Sequence, residues 1–233
     1  WTVPSTNDYL LKLPAPPAGK AFACLTEFQS GGRGRRGRQW IAPLGQSLCV
    51  SVVWTFATSP AQLHGLGLAA GVAVMRALRP FGVKGLGLKW PNDVLLHDRK
   101  LGGILVDVKG ESGGPLQVVV GVGLNYQLSD AVHAAVVAAG GLAPAAIGPH
   151  LKRSSRNALA GALVTQLTLL FAEFAASGLA AFMAEWRAAD ALKGQAITVA
   201  RESDTLIGTA AGIADNGQLQ LRTAAGVVEL LNV

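Results

Sequence analysis

The sequence predicts an α+β protein: a mixed sheet flanked by helices over residues 1–189, followed by a small β-barrel over residues 190–233. Three observations carry the prediction. Apolar strand-like runs recur through the first half, helical periodicity marks two stretches on either side of them, and past Asp190 the texture changes to short strands separated by turns.

Taken in order, Ser5-Thr-Asn7-Asp8 ahead of Tyr9-Leu-Leu reads as a capped helix start, because short oxygen-bearing side chains accept from the orphan amides of a first turn. Ala21 to Phe28 and Ser47 to Phe56 read as strands on either side of a Gly/Arg-rich loop. Pro60 to Leu78 places apolar residues at helical spacing, with Pro80 just beyond its end. Leu86 to Leu96 and Leu101 to Val108 read as two strands joined by the polar turn His97 to Lys100, and Leu116 to Val122 as a third strand of the continuous apolar kind. Ser129 to Pro149 is rich in Ala and Gly and shows no clear period, whereas Arg156 to Ser177 and Leu179 to Ala189 are helical. Gln195 to Ala200, Thr205 to Ile213, Gln218 to Arg222 and Val227 to Leu231 then form the strands of the barrel, with Asp215-Asn-Gly217 as a turn.

Half of the residues are apolar and 15% are charged, which fits a chain with a real core and excludes disorder as its main theme. The apolar run Leu66 to Met75 falls short of the roughly 20 residues that span a bilayer. No basic-then-apolar leader precedes Pro4. A cytoplasmic protein without a membrane partner is therefore expected. Cys24 and Cys49, the only cysteines, have no metal-ligand spacing and read as buried thiols. The net charge of +6 is regional: residues 28–92 contain no Asp or Glu but eight Lys and Arg, so the rest of the chain is mildly acidic. A concentrated field of one sign implies an anionic partner, whether nucleotide, carboxylate, acidic protein or nucleic acid.

Within that region, Gly32-Arg-Gly-Arg-Arg-Gly37 formally fits the dinucleotide pattern GxGxxG. That pattern requires a following helix and an acid about 20 residues on; here a β-like segment follows and no acid occurs before Asp93. What remains is a glycine loop that brings amides close to an anion while arginines supply bidentate donors, or else a solvated or nucleic-acid-binding basic loop; the run alone fits both. Its arginines repel one another, so without ligand the loop is expected to be mobile. Trp40 beyond it suits either a core or a stacked base. Lys89-Trp-Pro-Asn-Asp93 places an ammonium at a strand end beside a polar turn able to orient it or a metal-bound phosphate, and Lys100-Leu-Gly-Gly-Ile104 offers bare backbone to a ligand. The four histidines are dispersed and no serine lies in a GxSxG elbow, which argues against hydrolase and structural-zinc readings. Asp107 and Glu111 show no reason in the sequence to act as an acid/base pair.

Ser5-Thr-Asn7, Glu27-Phe-Gln29 with the Gly/Arg run and Trp40, Lys89-Trp-Pro-Asn-Asp93, Lys100-Leu-Gly-Gly-Ile104 and Gly121-Val-Gly-Leu-Asn125 occur in family order, and together they resemble the biotin protein ligase family along essentially the whole chain. The resemblance implies a sheet like that of class II aminoacyl-tRNA synthetases and an SH3-like barrel. It implies biotin and ATP as substrates with Mg²⁺, and transfer of biotin to a biotin carboxyl carrier protein of an acyl-CoA carboxylase. By motif, Ser5, Thr6, Asn7, Gln29, Arg33, Gly34, Arg35, Lys89 and Gly103 would hold biotin; Arg33, Arg35, Arg38, Trp40, Lys89, Asn92 and Asn125 would hold the adenylate. Lys89 and Arg35 would be catalytic, and any Mg²⁺ contact would lie near Asp93. Relatives often pair into homodimers through their sheets. Some carry an N-terminal helix-turn-helix domain; only four residues precede Ser5, so no DNA binding is expected of this chain. The tail reads Thr209-Ala-Ala-Gly212 where some members place an arginine at the position of Ala211.

Overall fold

A computed structural model describes residues 2–111, 114–138, 140–151, 156–201 and 204–231. Trp1 and the last two residues of the expected barrel lie outside the described residues. The elements run β1 (Thr2–Val3), α1 (Thr6–Lys12), β2 (Ala21–Thr26), β3 (Phe28–Gln29), β4 (Ser47–Phe56), α2 (Leu66–Leu78), β5 (Leu86–Lys89), β6 (Asp93–Leu96), β7 (Arg99–Lys109) and β8 (Leu116–Asn125). There follow α3 (Asp130–Ala138), α4 (Arg156–Ser177), α5 (Met183–Ala188), β9 (Ala196–Ala200), β10 (Thr205–Ile213), β11 (Leu219–Thr223) and β12 (Gly226–Leu230).

The main sheet has six strands in the order β2-β4-β8-β7-β6-β5, each pair antiparallel. Parallel pairing occurs outside it, in the β1–β3 ribbon and in isolated bridges such as Leu88 to Asp190. One face of the sheet is covered by α2 and α4, and α1 packs on the other through Leu10 against Val53 and Val119. Apolar cover on both faces explains why β8 reads as a continuous apolar run rather than an alternating one. The tail forms a four-stranded antiparallel sheet, β12-β11-β10-β9. Its Ala210, Ile213, Leu219, Leu221 and Leu230 join the same core as the main sheet.

Four expectations need correction. The helix expected over Pro60 to Leu78 is broken: a 3₁₀ turn covers Pro60–Leu63, and α2 starts after Gly65, whose φ of +81° and lack of a side chain admit Leu179. The strand expected over Leu86 to Leu96 is a hairpin, with Trp90 to Asn92 turning β5 into β6. The turn between β6 and β7 is His97-Asp98 alone, both residues with positive φ as in hairpins whose turn twist matches the strands. Two helical stretches, Pro60–Phe81 and Arg156–Ala188, have the length and apolarity to cross a membrane, more than the run Leu66 to Met75 suggested. In the first, 67% of the most apolar window is buried in the protein, which makes α2 a core helix.

Candidate active site

Side chains on β4 and β8 alternate between faces. Val50 and Val52, with Val118, Val120 and Leu124, enter the core beneath α2 and α4. Ser51, Gly121, Gly123 and Asn125 take the opposite face, beside α1, and there a cavity of about 900 Å³ opens. A Cβ on Gly121 would stand 2.1 Å from Asn7 Oδ1, and one on Gly123 would stand 2.6 Å from the Trp40 ring. The glycines of Gly121-Val-Gly-Leu-Asn125 are thus clearances for two site residues. Every residue assigned by motif to biotin, the adenylate or catalysis borders this one cavity.

The inner end is built on the N-terminus of α1. Ser5 caps the helix by accepting from the Asp8 amide at 3.3 Å, and the β1–β3 pairing sets Gln29 alongside. Gln29 Oε1 accepts from the Thr6 amide at 2.8 Å. Beneath them the Ser51 hydroxyl donates to Asn7 Oδ1 at 2.6 Å and lies 2.7 Å from Thr6 Oγ1. Asn7 Nδ2 donates to Asp107 Oδ2 at 2.8 Å. Ser5, Thr6, Asn7 and Ser51 are all buried, so this end is a floor of neutral hydrogen-bonding groups whose geometry is fixed by mutual bonds.

The Gly/Arg run closes on itself as a small hairpin. Gly34 N donates to Arg38 O at 2.7 Å and Trp40 N to Gly32 O at 2.9 Å, while Arg36 takes a left-handed φ of +57°. A Cβ at Gly32 would meet Trp40 O at 2.6 Å, which explains glycine there. Arg33 turns its guanidinium to Asp8 (2.5 Å) and Asp107 (3.0 Å), leaving its backbone along the cavity. Arg35 is half-buried; burial and the neighbouring Arg36 hold its pKa below the usual arginine value, and Asp93 opposes the shift. Arg38 is exposed at the rim.

Lys89, the last residue of β5, faces Asp93 across the hairpin. Of the two roles expected of Asn92 and Asp93, orienting Lys89 or a metal-bound phosphate, the first finds no side-chain bond among the described residues. Asp93 pairs with Lys100 at 2.7 Å, and Asn92 Nδ2 donates to Ile104 O at 2.8 Å, which fixes the turn. Among the described residues Lys89 makes no ion pair. Trp90 is buried and donates from Nε1 to Gly217 O at 3.0 Å, so it ties this turn to the tail. Asn125 Nδ2 donates to Lys100 O (3.3 Å) and Ala145 O (3.1 Å), holding the segment after α3 against the sheet. Val132 and Val136 of α3, with Leu142 and Pro144, form an apolar wall from the stretch whose sequence shows no clear period.

Three residues of the site were missed in the sequence. Ser51 was legible as the polar residue inside Leu48-Cys-Val-Ser-Val-Val53. Lys100 lay in a motif noticed only for its glycines, yet its ammonium is in the cavity beside Asp93 and Gly103. Asp107 carries no local signal; only the fold brings it to Asn7 and Arg33. Cys49 also borders the cavity, and burial pushes its thiol up to about 12, so it is a neutral thiol and not a poised nucleophile.

The molecule has the fold of the biotin protein ligases. The structure of the Aquifex aeolicus enzyme in complex with biotin and ATP superposes with a TM-score of 0.79 over 99% of this chain and 93% of its own, at 22% identity. That of the Leishmania major enzyme in complex with biotinyl-5-AMP superposes with a TM-score of 0.62 over 99% and 96%, at 24% identity.

The chain belongs to the biotin/lipoate A/B protein ligase family, which it matches over residues 2–125; residues 193–232 match the biotin protein ligase C terminal domain. It is 38% identical over 189 residues to the bifunctional ligase/repressor BirA of Escherichia coli K12, and these cover 81% of this chain and 57% of the relative. It is 42% identical over 126 residues to the biotin--[acetyl-CoA-carboxylase] ligase of Mycobacterium tuberculosis, covering 52% and 46%. The chain thus spans a little over half the length of the E. coli relative.

Proposed function

We propose that the chain joins biotin and ATP to give biotinyl-5′-AMP and pyrophosphate, then passes the biotinyl group to a lysine of a biotin carboxyl carrier protein. The observation that carries this reading is the division of one cavity into a neutral hydrogen-bonding inner end and a cationic outer end. Biotin has the same division, a ureido ring at one end and a carboxylate at the other.

In the first step a carboxylate oxygen of biotin attacks the α-phosphorus of ATP and pyrophosphate leaves. Two anions meet and charge grows on phosphoryl oxygens, so the site must supply positioning and cations. Lys89 and Arg35 are assigned that role, with Lys100 beside them; Arg33 through its backbone, with Arg38 and Asn92, would line the adenylate, and Trp40 and Asn125 would flank the adenine. Mg²⁺, which would neutralise the pyrophosphate, would arrive with the nucleotide, and Asp93 and Asn92 offer hard oxygen atoms suited to it. In the second step the carrier's amine attacks the acyl carbon and AMP leaves, so no side-chain nucleophile is required.

The matched family also covers lipoate ligases. The polar floor of Ser5, Thr6, Asn7 and Gln29 favours biotin: a ureido group brings two N–H donors and one carbonyl to exchange with it, whereas a dithiolane brings none. The finer reading of the fold, a class II synthetase-like sheet over residues 1–189 and an SH3-like barrel over 190–233, belongs to this proposal, as do a cytoplasmic setting and pairing of two copies through their sheets.

The test is transfer. With ATP, Mg²⁺ and a biotin carboxyl carrier domain, the purified chain should add one biotinyl mass to the carrier and should add no lipoyl group. Lipoylation, or no transfer of either, would overturn the reading.

A further inference from the structure

Four arginines within six residues repel one another, yet the Gly32 to Trp40 hairpin is closed over the cavity. Trp40 packs its ring over Gly123, and Arg33 carries ion pairs from the hairpin to the body of the protein. Its guanidinium reaches Asp8 on α1 at 2.5 Å and Asp107 on β7 at 3.0 Å. Asp107 in turn accepts from Asn7 Nδ2 at 2.8 Å, and Asn7 accepts from Ser51. Loop, helix and two strands of the sheet therefore meet through one carboxylate. That carboxylate is the better buried partner: the side chain of Asp107 is 21% exposed against 40% for Asp8, so its attraction for Arg33 is screened less by salt.

We infer that Asp8 and Asp107 are positioning residues: through Arg33 they latch the Gly/Arg hairpin over the inner end of the cavity and so set how readily the loop opens. The latch holds the side chain of Arg33 away from the anionic end and leaves its backbone facing the ligand. Its consequence for ligand residence rests on the proposed binding of biotin at that end; its consequence for the loop itself does not.

Two measurements keep these apart. Trypsin cleaves at the hairpin arginines only when the loop opens, and when opening is fast the rate follows the open population. Asp107→Asn keeps an oxygen for Asn7 and removes the charge facing Arg33, so the fold is retained. Exposed ion pairs of this kind are modest, and the double variant Asp8→Asn/Asp107→Asn should raise the ligand-free cleavage rate roughly fivefold with an unchanged melting temperature. Raising salt should speed cleavage of the parent protein and not of the double variant. Equal cleavage rates in the two proteins, or equal salt responses, would overturn the latch. In the same variants biotin should dissociate faster by a similar factor. If cleavage rises but the biotin off-rate does not change, the latch holds the loop without governing the ligand, and that half of the inference falls. If the parent protein binds no biotin at all, the functional reading fails while the cleavage result still judges the latch.

Discussion

At the scale of single residues, the outer end of the cavity holds two lysines in different circumstances. Lys100 pairs with Asp93, whereas among the described residues Lys89 makes no ion pair. Lys89→Ala should lower the rate of adenylate formation roughly 100- to 1,000-fold, the scale seen when one charge-stabilising donor is removed. Lys100→Ala should also slow it, and should leave Asp93 as an uncompensated carboxylate facing the phosphates. Single-turnover formation of biotinyl-AMP by both variants measures this; a fully active Lys89→Ala would remove Lys89 from the mechanism. Lys89 was legible because it ends a strand beside a polar turn. Asp107 was not, because its significance comes from Asn7 and Arg33, about 100 and 74 positions away in the chain.

Among elements, the bounds of β4, β10 and α4 coincide with the runs read from sequence, since each is long for its type. The breaks that were missed are tertiary in origin. Gly65 separates the Pro60–Leu63 turn from α2 where Leu179 lies 2.5 Å from the place its Cβ would take, and β5 turns at Trp90 where that indole reaches Gly217. The helical layer carries its own charged tie. Arg76 of α2 binds Glu173 of α4 and Glu185 of α5, each at 2.6 Å, and stacks over Phe182. Arg76→Ala should cost about 2 kcal/mol, the loss of charged hydrogen bonds at a partly buried site together with a cation–π contact. For a chain of this size that is roughly 4–8 °C in melting temperature. The Arg76 hydrogen bonds hold the Glu185 carboxyl below its usual range. A depressed carboxylate stabilises the fold above its unfolded pKa and ceases to do so as pH falls through the folded one. The gap between parent and variant should therefore be full at neutral pH and shrink below about pH 4.5. A gap that widened in acid would contradict this account.

At the scale of the whole molecule, the acid-free stretch from Phe28 to Asn92 divides its cations: Arg33, Arg35, Arg36, Arg38 and Lys89 line one cavity, with acidic residues of α1, β6 and β7 as latch and counter-charge, while Arg76 and Arg79 tie the helical layer. The tail is held to this arrangement by the bond from Trp90 to Gly217, which places the Asp215-Asn-Gly217 turn directly behind the hairpin that carries Lys89. Neither relation was legible in the sequence, because both are contacts between segments far apart in the chain. The central claim is that the two ends of the cavity hold biotin and ATP at once, so that carboxylate and α-phosphate react. It is tested most directly by pyrophosphate release from the purified chain. Release only when biotin and ATP are both present, with biotinyl-AMP as the second product, is the predicted result; release without biotin, or none with both, would contradict it.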